Sequence, residues 1–546
     1  MATQFIFNGK TVKIPNSYAT TKSGVKNPSI TSDASSCLVI DTGSGSGYGF
    51  RAGFNGTLEN GEESFYKFDN ILDFNSAIGG GLWSLLSSPL FRPAGLGVQG
   101  ISELTYIRAL NTSPAELSYT FTGDNDGSDS VVNGGTFTIQ VRHEGLVGNG
   151  TQSSGVLKTG FGAKMFKSLV NTNQFFIRFY RGSFTGLDQN GLPFNGIKLV
   201  DAQPIVLIDS PAFDNIEDLI EWMSSDFNFN ENFKLKTSSV VGDGSVDLAD
   251  YNSNDDLVLF AGGTESFSQT VLDNLLVQLK DYNVAFVLAD KYGANAMGVE
   301  NFKLAEYVND NRYQPELYVA GGSVESQFET QSIATAEFFN NQNVTVVHGG
   351  VRLASRFGNG FKEYDSIYKA CAILGREAGL PPQVPLSFKN INIDGERHIL
   401  NDRLITRALD KGVVVTRNEG GSFDIIKGVN SVQNNQFLVN EDGTTHSKQI
   451  RRIYRQLNKL ILINSRAQLL KRPNGSNRAN LSPQDVTVWL SNFLSTQIAT
   501  DFEDNLILSF QDITITREQD GYFVRFATEP NSEINFLFFF NTIIGV

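Results

Sequence analysis

The sequence predicts an α/β core with a largely parallel sheet, interrupted by a β-rich insert and followed by an α+β C-terminal unit. Three observations lead there. Between residues 256 and 348, short apolar runs alternate with helical periods, the pattern of βαβ crossovers. From 115 to 240 this gives way to strand-like runs separated by Gly, Asn and Asp. After residue 400, two amphipathic helices precede the last strands.

The chain has 546 residues, enough for several domains. Hydrophobic residues make up 40% and charged residues 19%, the balance of a folded protein. The 52 Gly and 42 Phe suit many strands and tight turns. A net charge of -14 argues against nucleic acid as a partner, because phosphate contact needs a basic surface. Cys37 and Cys371 stand alone, so neither a disulfide framework nor a Cys-rich zinc site is expected. The N-terminus lacks the pattern of a secretory signal, and no uncharged apolar run reaches the ~18 residues of a membrane helix. These features predict a protein made in a cytoplasm and not inserted in a membrane.

Element by element, "TQFIFNG" and "KTVKIP" read as short strands of an extended arm that carries Phe5, Ile6 and Phe7. "SSCLVIDTG" is a buried strand, "NILDFNSAIGGGLWSLLSSPLF" contains a helix, and "ELTYIRAL" is a strand. The insert holds "AELSYTFTG", "GTFTIQVRHEG" and "QFFIRFYRGSFTG" as strands and "NIEDLIEWMSSDF" as a helix. Then come "LVLF", "NVAFVLA", "ELYVA" and "NVTVV" as strands, with helices between them. Three of these runs end on "AGG", "AGG" and "HGG", where the chain turns sharply. Tyr364, Ile367, Cys371, Leu374 and Ala378 share one helical face, which Gly379 and Pro381-Pro382 stop. Ile450, Ile453, Leu457, Leu460 and Ile461 stripe a further helix. Val486, Leu490, Phe493 and Leu494 stripe the last one, entered through Ser482 as N-cap and Pro483 as first residue. "LILSFQDITITRE", "YFVRFATE" and "INFLFFFNTIIGV" follow as strands, and nine of the thirteen residues 534–546 are Ile, Leu, Phe or Val.

Chemistry motifs are sparse. "LVIDTGSGS" looks like an aspartic-protease half-site, but that chemistry needs two carboxylates and no second Asp-Ser/Thr-Gly occurs. A plain strand-to-turn reading is preferred for Asp41. Neither GxGxxG at "LVIDTGSGS" nor GxxxxGK[ST] anywhere is present, and no cofactor is expected. His143, His348, His398 and His446 form no HxH or HExxH, and no metal site is expected. His348 sits at a strand end, where a Ser/His/Asp system can be built, yet no GxSxG elbow accompanies it. Asp124, Asp126 and Asp129 resemble the start of a calcium loop, whose twelfth position here is Gly135 and not Glu.

One charge feature stands apart. No acid occurs between Asp442 and Asp485, while Lys448, Arg451, Arg452, Arg455, Lys459, Arg466, Lys471, Arg472 and Arg478 do. A solvated helix face normally mixes signs, so this run reads as a docking surface for an acidic partner.

The order of these motifs resembles that of the contractile tail sheath proteins of phages and related injection machines. Segment 137–150, "FTIQVRHEGLVGNG", resembles the family's strand and Gly-Asn loop, and "ELTYIRAL" is similar to one of its strands. Segment 261–289 resembles its βαβ unit opening on Gly-Gly, and segment 400–432 its turn from the α/β core into the inner domain. The pieces span nearly the whole chain, and residues 150–235 match least.

The resemblance implies a non-enzymatic virion tail component, assembled in a host bacterial cytoplasm. It would form a helical homopolymer around a tail tube, with baseplate and terminator proteins as further partners. It divides the chain into an arm at 1–22, core at 23–114 and 241–399, an outer insert at 115–240, a tube-facing inner domain at 400–530 and an arm at 531–546. The arms, with Phe5, Ile6, Phe7, Ile534, Phe536, Phe538, Phe540 and Ile543, would donate strands to neighbouring subunits. Lys448, Arg451, Arg452, Arg455, Lys459 and Arg466 would face the tube. The competing expectations are another self-assembling shell protein, or a hydrolase built on His348 or Asp41.

Overall fold

The computed structural model describes residues 35–43, 66–78, 81–95, 97–121, 135–144, 148–153, 156–168, 170, 174–182, 205–238, 257–323, 328–354, 360–433, 445–465, 482–498, 506–518 and 521–531, and the backbone of two strands at Gln4–Phe7 and Lys10–Lys13.

Seven strands form the central sheet: β1 (Ser36–Asp41), β2 (Tyr66–Phe68), β3 (Glu103–Arg108), β4 (Phe286–Tyr292), β5 (Glu316–Ala320), β6 (Val344–Val347) and β7 (Val413–Val414). Their spatial order is β7-β6-β5-β4-β1-β3-β2, all parallel except the edge strand β2. The strands alternate between two apolar faces, as continuous hydrophobic runs in a covered parallel sheet must. Cys37, Val39, Phe286, Leu288, Tyr318 and Ala320 meet helices α1 (Ile71–Ile78) and α2 (Gly81–Phe91) and a later helix, Ser366–Ala378. Leu38, Ile40, Val287, Ala289, Leu317 and Val319 meet α3 (Gln269–Gln278), α4 (Val299–Asp310), α5 (Thr330–Phe339) and the helix Asp402–Asp410. In chain order these two later helices are α6 and α7.

Two expectations need correction. The run 257–260 is not a core strand: Val258–Leu259 pairs antiparallel with Phe161–Lys167 in the insert, and β1 takes the place beside β4. So short a run has no periodicity that could select its sheet. Tyr364 is not on α6 but ends the strand Phe361–Tyr364. Nor is α6 one-faced, since all its residues but Arg376 are buried. Helix α2 crosses it so closely that a Cβ on Gly375 would lie 2.5 Å from the Pro89 and Leu90 carbonyl oxygens. The Gly-Gly turns also have packing causes. Gly349 has φ +91°, and a Cβ on Gly321 would lie 2.7 Å from Val346 Cγ1.

The insert leaves and rejoins the core by paired strands, Leu110 opposite Phe267. Its two four-stranded antiparallel sheets and the helix Ile216–Ser225 enclose a separate core. Phe233 lies at its centre, with the rings of Phe161, Phe179, Phe229 and Phe260 at 4.7–5.7 Å.

At the C-terminal end lie α8 (Lys448–Ser465), α9 (Pro483–Thr496) and a hairpin of β8 (Ile507–Glu518) and β9 (Gly521–Pro530). Ser482 and Asp485 form the capping box at the start of α9. Ile453, Leu457, Leu490, Leu494, Leu506 and Ile507 make the small core that joins them.

Candidate functional site

Helix α8 carries the one-signed run, and its first turns face inward. Lys448 Nζ bonds Glu316, lies 2.9 Å from Glu377 Oε2 and 2.6 Å from Thr345 Oγ1, and sits 4.4 Å above the Tyr318 ring. Arg452 Nε is 3.3 Å from Glu377 Oε1, and its Nη2 donates to the Glu377 and Leu380 carbonyls at 3.0 and 2.6 Å. The side chains of Lys448, Arg452 and Glu377 are at most 3% exposed. Tyr318 donates its hydroxyl to Glu377, and Thr345 donates to Glu316. Burial alone would raise the Glu377 pKa, but the charges of Lys448 and Arg452 outweigh it and hold the carboxyl below its ordinary range.

The neighbouring cations are also committed. Arg451 donates to Asn343 Oδ1 at 2.8 Å and Gln314 Oε1 at 2.6 Å, and burial pushes its pKa down to about 10. Arg455 donates to the Ala285 carbonyl at 3.0 Å and stacks 5.4 Å over Phe286. Ala285, Gln314, Glu316 and Asn343 all lie at the amino ends of core strands. The run is therefore not one exposed face: Lys448 and Arg452 are interior and fasten α8 beneath the sheet. The i, i+4 spacing of Lys448 and Arg452 gave their common face but not its direction. The signal that was missed is the carboxylate in "ELYVA" and the one in "GREAG", which meet them. Lys459 is half-buried over the Tyr313 ring at 5.9 Å, and Arg466 lies outside the described residues.

The hydrolase candidates are also interior. Asp41 accepts from the Tyr106 hydroxyl and from Gly43 N at 2.9 Å, and Arg108 Nε stands 3.7 Å away. A second carboxylate does approach it, Asp290 from "VLADKYG", a segment with no Asp-Ser/Thr-Gly to mark it in the sequence. Asp41 is 1% exposed and Asp290 0%, leaving no approach for a substrate. His348 Nδ1 lies 2.9 Å from Ser332 Oγ. Burial first, then Lys369 and His398, push its pKa down to about 3, so this buried ring is neutral. Among the described residues, no three His, Cys, Asp or Glu converge as a metal site, and no helix is long and apolar enough to cross a membrane.

The C-terminal hairpin lies apart from these sites. Among the described residues β8 and β9 pair only with each other. Phe523 and Val524 are exposed near the hairpin's tip. The last described residue, Asn531, is tied in by its N–H to the Leu506 carbonyl at 3.2 Å and by Gln449 Nε2 to its own carbonyl at 3.1 Å. Ile534, Phe536, Phe538, Phe540 and Ile543 lie outside the described residues. Phe5, Ile6 and Phe7 lie on Gln4–Phe7, whose backbone pairs antiparallel with Lys10–Lys13.

A layered α/β core, a β insert between two of its strands and a helix–hairpin unit fastened beneath the sheet together define a tail sheath fold. A sheath tail protein of Desulfitobacterium hafniense has this fold, with a TM-score of 0.56 at 10% identity over 94% of this chain and 97% of that one. A sheath tail protein of Listeria innocua aligns over 90% of this chain and 91% of its own at 14% identity, with a TM-score of 0.48. In sequence, the chain is 23% identical over 184 residues to the tail sheath protein of Bacillus phage SP01. That match takes in 33% of this chain and 31% of the relative. No family model matches the chain. The resemblance to contractile tail sheath proteins carried by the order of motifs is thus met in both sequence and fold.

Proposed function

We propose that the protein is a structural subunit that polymerises into the helical contractile sheath around a phage-type tail tube. Its contraction drives the tube through a bacterial envelope. The observation that carries this reading is the hairpin of β8 and β9, which among the described residues pairs with no further strand, followed in the sequence by the chain's most apolar terminal segment. Open strand edges are templates for pairing with another chain. Strands donated by the arms of neighbouring copies would satisfy them, each main-chain hydrogen bond contributing about 0.5–1.5 kcal/mol net. Such contacts are heterologous and do not close, so they build filaments. Contraction then requires a second packing of lower free energy behind a barrier.

Electron microscopy of the purified protein is expected to show hollow helical tubes. Flat sheets or closed cages would replace this reading with that of a shell protein. The other partners proposed are the tube, the baseplate and a terminator. Because Lys448 and Arg452 are interior, we assign tube contact to Lys459 of α8 and to Arg466, which follows α8 in the sequence. Reversing both to Glu should reduce co-sedimentation with tubes of the inner protein while leaving sheath assembly intact. Unchanged co-sedimentation would reject the assignment.

A further inference from the structure

Strands β1 and β4 are neighbours, yet the chain leaves them in opposite directions. From β1 it passes to β3 through helices on one face, and from β4 it passes to β5 and β6 through helices on the other. Their carboxyl ends therefore flank the switch point of the sheet, where among the described residues no crossover helix runs between them. Two carboxylates stand there, Asp41 and Asp290. We propose that this pair is a proton-operated clamp: with one carboxyl protonated it ties β1 to β4, and with both ionised it forces the two strand ends apart.

The two carboxylates have different partners. Thr42 donates its N–H to Asp290 Oδ1 at 2.9 Å and its hydroxyl to the same oxygen at 2.5 Å, so β1 grips the end of β4 through Asp290. Asp41 accepts from the Tyr106 hydroxyl and the Gly43 N–H, and the Arg108 guanidinium stands 3.7 Å from it. Burial, and then Asp41, keep the Tyr106 phenol protonated as that donor. Lys291, next along β4, forms an ion pair with Glu300 of α4 at 3.4 Å. Among the described residues, the charged and titratable groups around the clamp include Asp41 from β1, Tyr106 and Arg108 from β3, Asp290 and Lys291 from β4, and Glu300 from α4. Burial, and then the charge of Asp41, push the Asp290 pKa up to about 7. A carboxyl that keeps its proton longer in the folded state makes stability fall as pH rises. The loss begins near the ordinary carboxylate value and is complete above about pH 7.

The test compares the full-length wild type with Asp290→Asn. Asn preserves the acceptor for Thr42 and offers an N–H to Asp41. Between about pH 5 and about pH 8.5 the wild-type folding equilibrium should weaken by roughly 100-fold more than that of the variant, given a tenfold change per pH unit across the window. Equal slopes in the two proteins would overturn the clamp. Should the variant fold poorly, hydrogen exchange of the wild type gives the second reading. Protection at the amides of Val39–Asp41 and Leu288–Asp290, corrected for intrinsic rates, should drop above neutrality relative to that of β6. Uniform protection across the sheet would equally reject the proposal. Both measurements concern the folded subunit, so their outcome is independent of tube formation.

Discussion

Lys448→Ala should be among the most damaging single substitutions in the chain, with a loss of about 3–5 kcal/mol. The reason is the company the lysine keeps. Glu316 and Glu377 are at most 5% exposed, and removing Lys448 takes away the cation that bonds both, leaving Glu377 with Arg452 and Glu316 without an ion pair among the described residues. Against a typical total of 5–15 kcal/mol, that loss brings the subunit near unfolding at ordinary temperature. Urea titration read by fluorescence measures it directly. A compensated variant, Glu316→Gln with Lys448→Met, should recover most of the loss because Glu377 keeps Arg452 as its partner and no unpaired charge remains. A single-substitution effect under about 1 kcal/mol would mean that water reaches the cluster. The sign with pH follows from Glu377. Its folded pKa is depressed, so its contribution is present above the ordinary carboxylate value and is lost as pH falls through the depressed one. This dependence is opposite to that of Asp290, and the two act in different ranges, one toward acid and one toward neutrality.

Removing residues 534–546 should abolish tubes while leaving the subunit's melting temperature nearly unchanged. The segment contributes nine apolar side chains, and the edges it would pair with belong to a hairpin already folded against α8 and α9. If the donated strand holds neighbours together, truncation removes the contact between copies and nothing inside one copy. Sedimentation and microscopy should find monomers in place of tubes, with an unaltered unfolding midpoint. Normal tubes from the truncated chain would remove the terminal arm from the assembly mechanism. A collapsed midpoint would show instead that the segment belongs to its own subunit.

Much of this architecture is legible in the sequence because local physics decides it. The helix stripes at Ile453 and Leu457 and at Leu490 and Leu494 bury as their spacing demands. Ser482 caps α9 with the pair its residue type offers. The strands "NVAFVLA", "ELYVA" and "NVTVV" alternate with helices and lie parallel, since short crossovers leave few other arrangements. Short or fully buried elements were less legible. Val258–Leu259 is too short to carry a period, and α6 is buried all round, so its apparent stripe did not mark its surroundings.

By itself, then, the sequence determined the alternating α/β core, the punctuated β insert, the capped C-terminal helices and the order of motifs that resembles a tail sheath protein. Each of these is written in spacing or in chain order. Only the tertiary structure decided which way the charges of α8 point and which partners they meet. Lys448 finds Glu316 from 132 positions away, and Thr42 finds Asp290 from 248. The reason is physical: a charge run specifies a helix face, but whether that face meets solvent or a buried carboxylate depends on what long-range packing places against it.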